Sequence, residues 1–264
     1  MTDPRPQGVN TKAQPDRARS VVGSNDDDER YASCDSRPLT LSWTINRHLF
    51  YTFEVDIDEA ERIVPAPLQV VELRPSVALM SVGVLRYEPG HFGPGSPVFL
   101  EVVGAIHVSP DLSTDMPVPT MTFSTFQVLS DSPDFVANED DTLYTPTRLV
   151  SLEARFTGDG LGVEAWDEDG PILAMPSAHT EPRWVHKEMW GQHFTNTKGL
   201  QHGIWQWDGR LFEHQKRLPG WRLHPHPFWS GLDVGRVRST YRTMLQEPGT
   251  LCHERFYAMR PFGS

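Results

Sequence analysis

The run Val98 to Val108, VFLEVVGAIHV, holds two ionisable groups, Glu101 and His107, in otherwise apolar surroundings. A carboxylate taken out of water is costly in its charged form, so Glu101 is paired, turned to a wet face, or used. A second group of residues with chemistry is Tyr144-Thr145-Pro146-Thr147-Arg148-Leu149. A guanidinium there can hold a carboxylate by two parallel hydrogen bonds, and a phenol can donate one. The plainer reading of Arg148 is a surface arginine at the start of a strand. A third group is His224-Pro225-His226, which can place two imidazoles on one side of an extended segment, as a metal requires. No H-E-x-x-H, no C-x-x-C and no carboxylate at a standard offset accompanies the pair, and His186-Lys187-Glu188 is too tight for a zinc helix. The expectation is no metal and no cofactor. G-x-S-x-G, G-x-x-x-x-G-K-[ST] and G-x-G-x-x-G are all missing too, so hydrolase and nucleotide chemistry have no local support.

The elements that carry these residues read as mostly β. Leu39, Leu41, Trp43 and Ile45 alternate with polar residues, as a half-buried strand does, and Leu49 to Phe53 continues in that style. Val55 to Val64 has helical spacing, with Asp56 or Asp58 available as cap, and Pro65 and Pro67 end it. Leu68 to Leu73 and Val77 to Leu85 read as a hairpin about the turn Arg74-Pro75-Ser76. Val98 to Val108 and Thr120 to Leu129 are strands, and Ser132 to Leu143 a short acidic helix. Arg148 to Phe156, Gly162 to Trp166 and Pro171 to Met175 are strands joined by Gly- and Asp-rich turns. Later strands are expected at Ile204 to Trp207, Val234 to Leu245 and Leu251 to Met259.

Six of the eight tryptophans and seven of the eleven histidines fall between His179 and Trp229. We therefore expect one β-rich domain over 39–264 with a Trp/His-rich elaboration from about 176. Those tryptophans are core, subunit-interface or pocket-lining residues. Residues 1–38, rich in Pro, Asp, Arg and Ser, read as a disordered tail.

The formal charge is −11, from 24 basic and 35 acidic residues, and no basic face is evident. Nucleic acid and anionic membranes are poor partners for such a chain. No run approaches the ~18 apolar residues of a membrane span. The N-terminus lacks the apolar core of a secretory signal. Two cysteines, Cys34 and Cys252, fit a reducing, cytoplasmic setting.

In these residues the chain resembles the acetoacetate decarboxylase-like superfamily, over roughly Arg47 to Met175. Three pieces carry the resemblance: Val64-Pro65-Ala66-Pro67-Leu68 after a short helix, Phe99-Leu100-Glu101-Val102-Val103, and Pro146-Thr147-Arg148-Leu149, similar to the family's Pro-Lys-Lys-Leu segment. The resemblance implies an α+β, mostly β fold: a cone-shaped β-barrel with a few short helices, assembled as a homo-oligomer and acting on a small-molecule substrate. Lysine-bearing members form a Schiff base, aided by the second lysine and an apolar site. Here Glu101 matches the family's glutamate, Thr147 stands in place of the imine lysine, and Arg148 in place of the second. Glu54 falls where a substrate-binding arginine belongs. Threonine forms no imine.

The resemblance thus implies a non-imine lyase or isomerase step on an oxo or carboxylate metabolite. Glu101, Arg148 and Tyr144 are the candidate catalytic residues, and Glu54, Thr147 and His107 the candidate substrate contacts. Lys187 and Lys198 are the lysines that would restore an imine. A ligand-binding or assembly protein on the same barrel, and a histidine-based metalloenzyme, stand as alternatives.

Overall fold

The structure is a computed structural model. It describes residues 39–44, 47–90, 95–109, 119–138, 146–157, 162–177, 181–196, 199–214, 217–246, 251–256 and 260–261. The expected tail, Tyr144 and Lys198 lie outside the described residues, as does the side chain of Lys187.

Strands build most of the molecule, and the central ones, apolar along most of their length, are buried on both faces. A seven-membered ring of hydrogen-bonded strands closes on itself. Its members are β2 (Arg47–Asp56), β4 (Val77–Tyr87), β5 (Phe99–His107), β6 (Met121–Ser130), β11 (Glu181–Asn196), β12 (Gly199–His214) and β14 (Ser239–Gln246). Closure comes from β14, which pairs antiparallel with both β2 and β12. The β6–β11 pairing is parallel and the other ring pairings are antiparallel. Closing a sheet this way removes its exposed edges. Outside the ring, β1 (Leu39–Thr44) pairs β15 (Leu251–Phe256), which pairs β12, and β16 (Arg260–Pro261) also pairs β12. β3 (Glu72–Arg74) pairs β4, and β7 (Thr147–Leu149) runs parallel to β6. A second sheet, β13-β10-β9-β8, contains β8 (Glu153–Thr157), β9 (Gly162–Asp167), β10 (Gly170–Met175) and β13 (Arg222–Leu223).

Because strand side chains alternate, the ring has two apolar faces. The outer one joins Leu49, Tyr51, Phe53, Met80 and Val102 of the barrel to Val163, Ile172 and Leu173 of the small sheet, with Phe228 and Trp229 between. The inner one gathers Phe50, Tyr87, Phe99, Val103, Trp190, Trp207 and Met244. Phe50 and Trp190 sit on ring strands that are not neighbours, yet their rings are 5.2 Å apart, edge to face, so this cluster fills the barrel interior. Each large side chain so buried contributes about 1.5–3 kcal/mol.

Helix α1 (Ile57–Ile63) is capped by Asp56, whose side chain accepts the Asp58 N–H. Buried Glu59 takes Arg236 Nη1 at 2.8 Å and the Asp233 N–H at 3.0 Å, tying α1 to the segment that leads into β14. Helix α2 (Pro133–Asn138) starts from Ser132, whose hydroxyl accepts the Phe135 N–H.

Four expectations change. The strand over Leu68 to Leu73 shrinks to Glu72–Arg74 plus one bridge, Val70 to Val108, because the Leu68 N–H is spent on Pro65 in the turn. Arg148 to Phe156 is two strands in two sheets. The break comes where Val150 N–H turns to Ser130 O and Ser151 N–H to Glu168. Val234 to Leu245 opens as a 3-10 turn, Val234–Arg236, capped by Asp233, before β14 begins. And β11, sixteen residues with a bulge between Val185 and Glu188, had no expected strand.

Candidate active site

Glu101 lies on the inner face of β5, in register with Leu85 on β4 and Ser130 on β6. Its row continues to His48 on β2 and Gln246 on β14 in one direction, and to Leu149 on β7 in the other. Tyr87 ends β4 opposite Phe99 and stacks on it at 4.3 Å. From there Tyr87 Oη donates to Glu101 Oε2 at 2.6 Å. The His48 ring meets the Tyr87 ring edge-on at 5.1 Å and Trp207 at 6.1 Å. Phe99 and Tyr87 both face Phe135 of α2, at 5.4 and 6.2 Å. Glu101 is 5% exposed.

Burial pushes its carboxyl up to about 7, and the Tyr87 hydrogen bond draws it only partly back. A group poised there gives and takes protons at neutral pH. Among the described residues Tyr87 is the hydrogen-bond donor to this carboxylate, which leaves Oε1 for another partner.

The remaining sequence candidates scatter. Thr147 is in register with inner-face Val128, one residue pair beyond the Glu101 row and two strands away, roughly 12 Å between backbones. Arg148 is in register with Leu129, an outer-face residue, and its exposed guanidinium lies 3.8 Å from Asp169. The structure does not bring it to Glu101. Glu54 is buried and holds Arg74 Nη2 at 2.6 Å. His107 is on the same face of β5 as Glu101 but six residues on, about 20 Å along the strand. Its Nε2 lies 2.8 Å from Ser81 Oγ. Tyr144 lies outside the described residues. Two neighbours of Glu101, Tyr87 and His48, were not singled out in the sequence.

His226 joins Asp167 and Asp169 in a cluster whose possible ligand atoms lie within 4.8 Å of one another, and His224 is not part of it. His226 Nδ1 accepts the Phe228 N–H at 3.1 Å, so Nε2 carries the proton and donates to Asp167 Oδ1 at 2.9 Å. That tautomer leaves the imidazole no lone pair for a cation. His224 instead lines a surface groove of about 360 Å³ with Trp166 and Arg222. Among the described residues, no helix is long and apolar enough to cross a membrane.

No family model matches the sequence, and no curated protein matches it. Solved structures do. An acetoacetate decarboxylase aligns with TM-score 0.55 at 13% identity, over 84% of this chain and 90% of that one. The acetoacetate decarboxylase of Legionella pneumophila aligns with TM-score 0.53 at 15% identity, over 84% and 88%. The enduracididine biosynthesis enzyme MppR, with HEPES buffer bound, aligns with TM-score 0.53 at 10% identity, over 85% and 87%. Superposition over most of each chain, at so little identity, is agreement of fold: this chain has the acetoacetate decarboxylase-like fold.

Proposed function

We propose that the barrel interior around Glu101 carries out acid–base chemistry on a small oxo acid, as a lyase or isomerase that forms no imine. The observation that carries this reading is the buried Glu101 carboxyl, held by Tyr87 and raised to about 7. As carboxylate it removes a proton beside the substrate carbonyl. As carboxylic acid it returns that proton to the enolate carbon, or to a leaving group. The apolar wall of Phe99, Phe135 and Trp207 keeps water from quenching the charge that develops. Support for an oxo acid comes from MppR, solved with pyruvate. Support for dispensing with an imine comes from Thr147 at the lysine position and from the scarcity of lysine. The sequence has Lys12, Lys187, Lys198 and Lys216 and no others.

The test is incubation of the purified chain with pyruvate or acetoacetate and borohydride, followed by intact-mass measurement. No adduct is expected, together with turnover that falls at least ~100-fold in Glu101→Gln. A stable adduct on any lysine sinks the non-imine mechanism, and full turnover in Glu101→Gln sinks the role of Glu101. A second reading, a ligand-binding protein without turnover, is favoured by the Phe50–Trp190–Trp207 contacts, both at 5.2 Å, that pack the middle of the interior. It predicts ligand binding unchanged in Glu101→Gln and no turnover in either protein.

A further inference from the structure

The other end of the barrel interior is polar. Thr52 Oγ1 lies 2.8 Å from Ser81 Oγ, which lies 2.8 Å from His107 Nε2. The His107 ring stands edge-on to Phe123 at 4.7 Å. Arg242, in register with Thr52, reaches across the interior, where its Nη1 lies 3.3 Å from Met121 Sδ on β6. Its Nε side rests on Glu213 of β12. Arg242 is four residues along β14 from the Glu101 row, about 13 Å. Phe50 and Met244 occupy the row between. This end is therefore separate from the Glu101 site.

A guanidinium has five N–H donors and no acceptor. Among the described residues, one carboxylate faces the Nε side of Arg242 and a thioether, a weak acceptor, faces Nη1. The side chain is 17% exposed, and among the described residues its Nη edge meets a thioether and no oxygen. His107 adds a neutral imidazole: burial and the Arg242 charge hold it down at about 3.

We propose that this end of the barrel binds a small monocarboxylate with an apolar body, the carboxylate forked on the Nη edge of Arg242 and the body against Phe123 and Met121. A planar fork suits a carboxylate. The inference stands apart from the reading of Glu101.

Calorimetric titration of the full chain with benzoate, and separately with benzamide, tests it. Benzoate should bind one site at least ~10-fold more tightly than benzamide, because the amide cannot accept a charge-assisted fork. Arg242→Gln should erase that preference. Glu213→Gln, which removes the competing carboxylate, should strengthen benzoate binding several-fold, and Glu101→Gln should leave it unchanged. The site is overturned if the wild type shows no preference, or if the preference survives Arg242→Gln. Unchanged or weakened binding in Glu213→Gln, or loss of binding in Glu101→Gln, overturns it as well. Should Arg242→Gln fail to fold, the Glu213→Gln result decides alone.

Discussion

Replacing Glu101 with glutamine keeps the side chain's size and its acceptor for Tyr87 but removes a buried titrating group. The wild-type carboxyl moves from an ordinary 4.5 to about 7 on folding. Between those values the folded chain holds a proton that the unfolded chain has released, so this group lowers stability as pH rises from 4.5 to 7. At roughly 1.4 kcal/mol per tenfold change, the loss totals about 3 kcal/mol above pH 7. His107 acts in the opposite sense. Its folded value lies near 3, below the ordinary 6.5, so its contribution is present above pH 6.5 and is lost as pH falls toward 3. The two slopes oppose each other between pH 4.5 and 6.5, and the wild-type profile alone conceals both. The difference between wild type and Glu101→Gln cancels His107. Urea unfolding at pH 4.5, 6 and 8 should show the variant gaining about 3 kcal/mol on the wild type from the lowest to the highest pH. A difference flat across that range refutes the claim that Glu101 titrates near 7 in the folded chain.

Tyr87→Phe removes the hydrogen bond that lowers the Glu101 carboxyl. The limb of the pH–rate profile governed by Glu101 should then move above pH 7, and a limb that stays or falls contradicts the assignment. Gly104→Ala places a Cβ 2.5 and 2.6 Å from Phe126 ring atoms and 3.0 Å from Phe228. Overpacking of this kind should cost about 1–3 kcal/mol in chemical unfolding. Arg148→Ala breaks only an exposed, long ion pair with Asp169, so stability should change by less than about 0.5 kcal/mol. Turnover should stay within about twofold in that variant, and a hundredfold loss would return Arg148 to the catalytic machinery.

The mostly-β fold class was legible because strand signals are local: alternation marks Leu39 to Thr44, and apolar runs mark Val77 to Leu85 and Val98 to Val108. Glu181–Asn196 did not, since Pro182, Gly191 and a bulge break its alternation, and one of its partners, β6, is distant in the chain. Glu101 was legible as a charge among apolar residues. Tyr87 was within reach: it and Phe99 flank one loop, and an antiparallel return sets them opposite, beside Glu101. His48 was not, because its place in the Glu101 row depends on the register of two strand pairs. Arg148 and Thr147 differ by one residue, which in a strand means opposite faces, and residue type does not reveal which one turns inward.

Barrel closure also sets a schedule for folding. β2 ends at Asp56 and its partner β14 begins at Ser239, so 239 − 56 = 183 positions separate the two edges that must meet. A ribosome adding 5–20 residues per second takes about 10–40 s to cover that interval. Throughout it, β2 and β4 can pair with each other while the outer edge of β2, with its unbonded amides and carbonyls, waits for a strand not yet made. The nascent chain is therefore most open to mispairing and chaperone capture late in synthesis. A ribosome stalled just before Ser239 should hold a protease-sensitive, chaperone-bound barrel that the next eight residues of chain, once outside the exit tunnel, convert to a closed one.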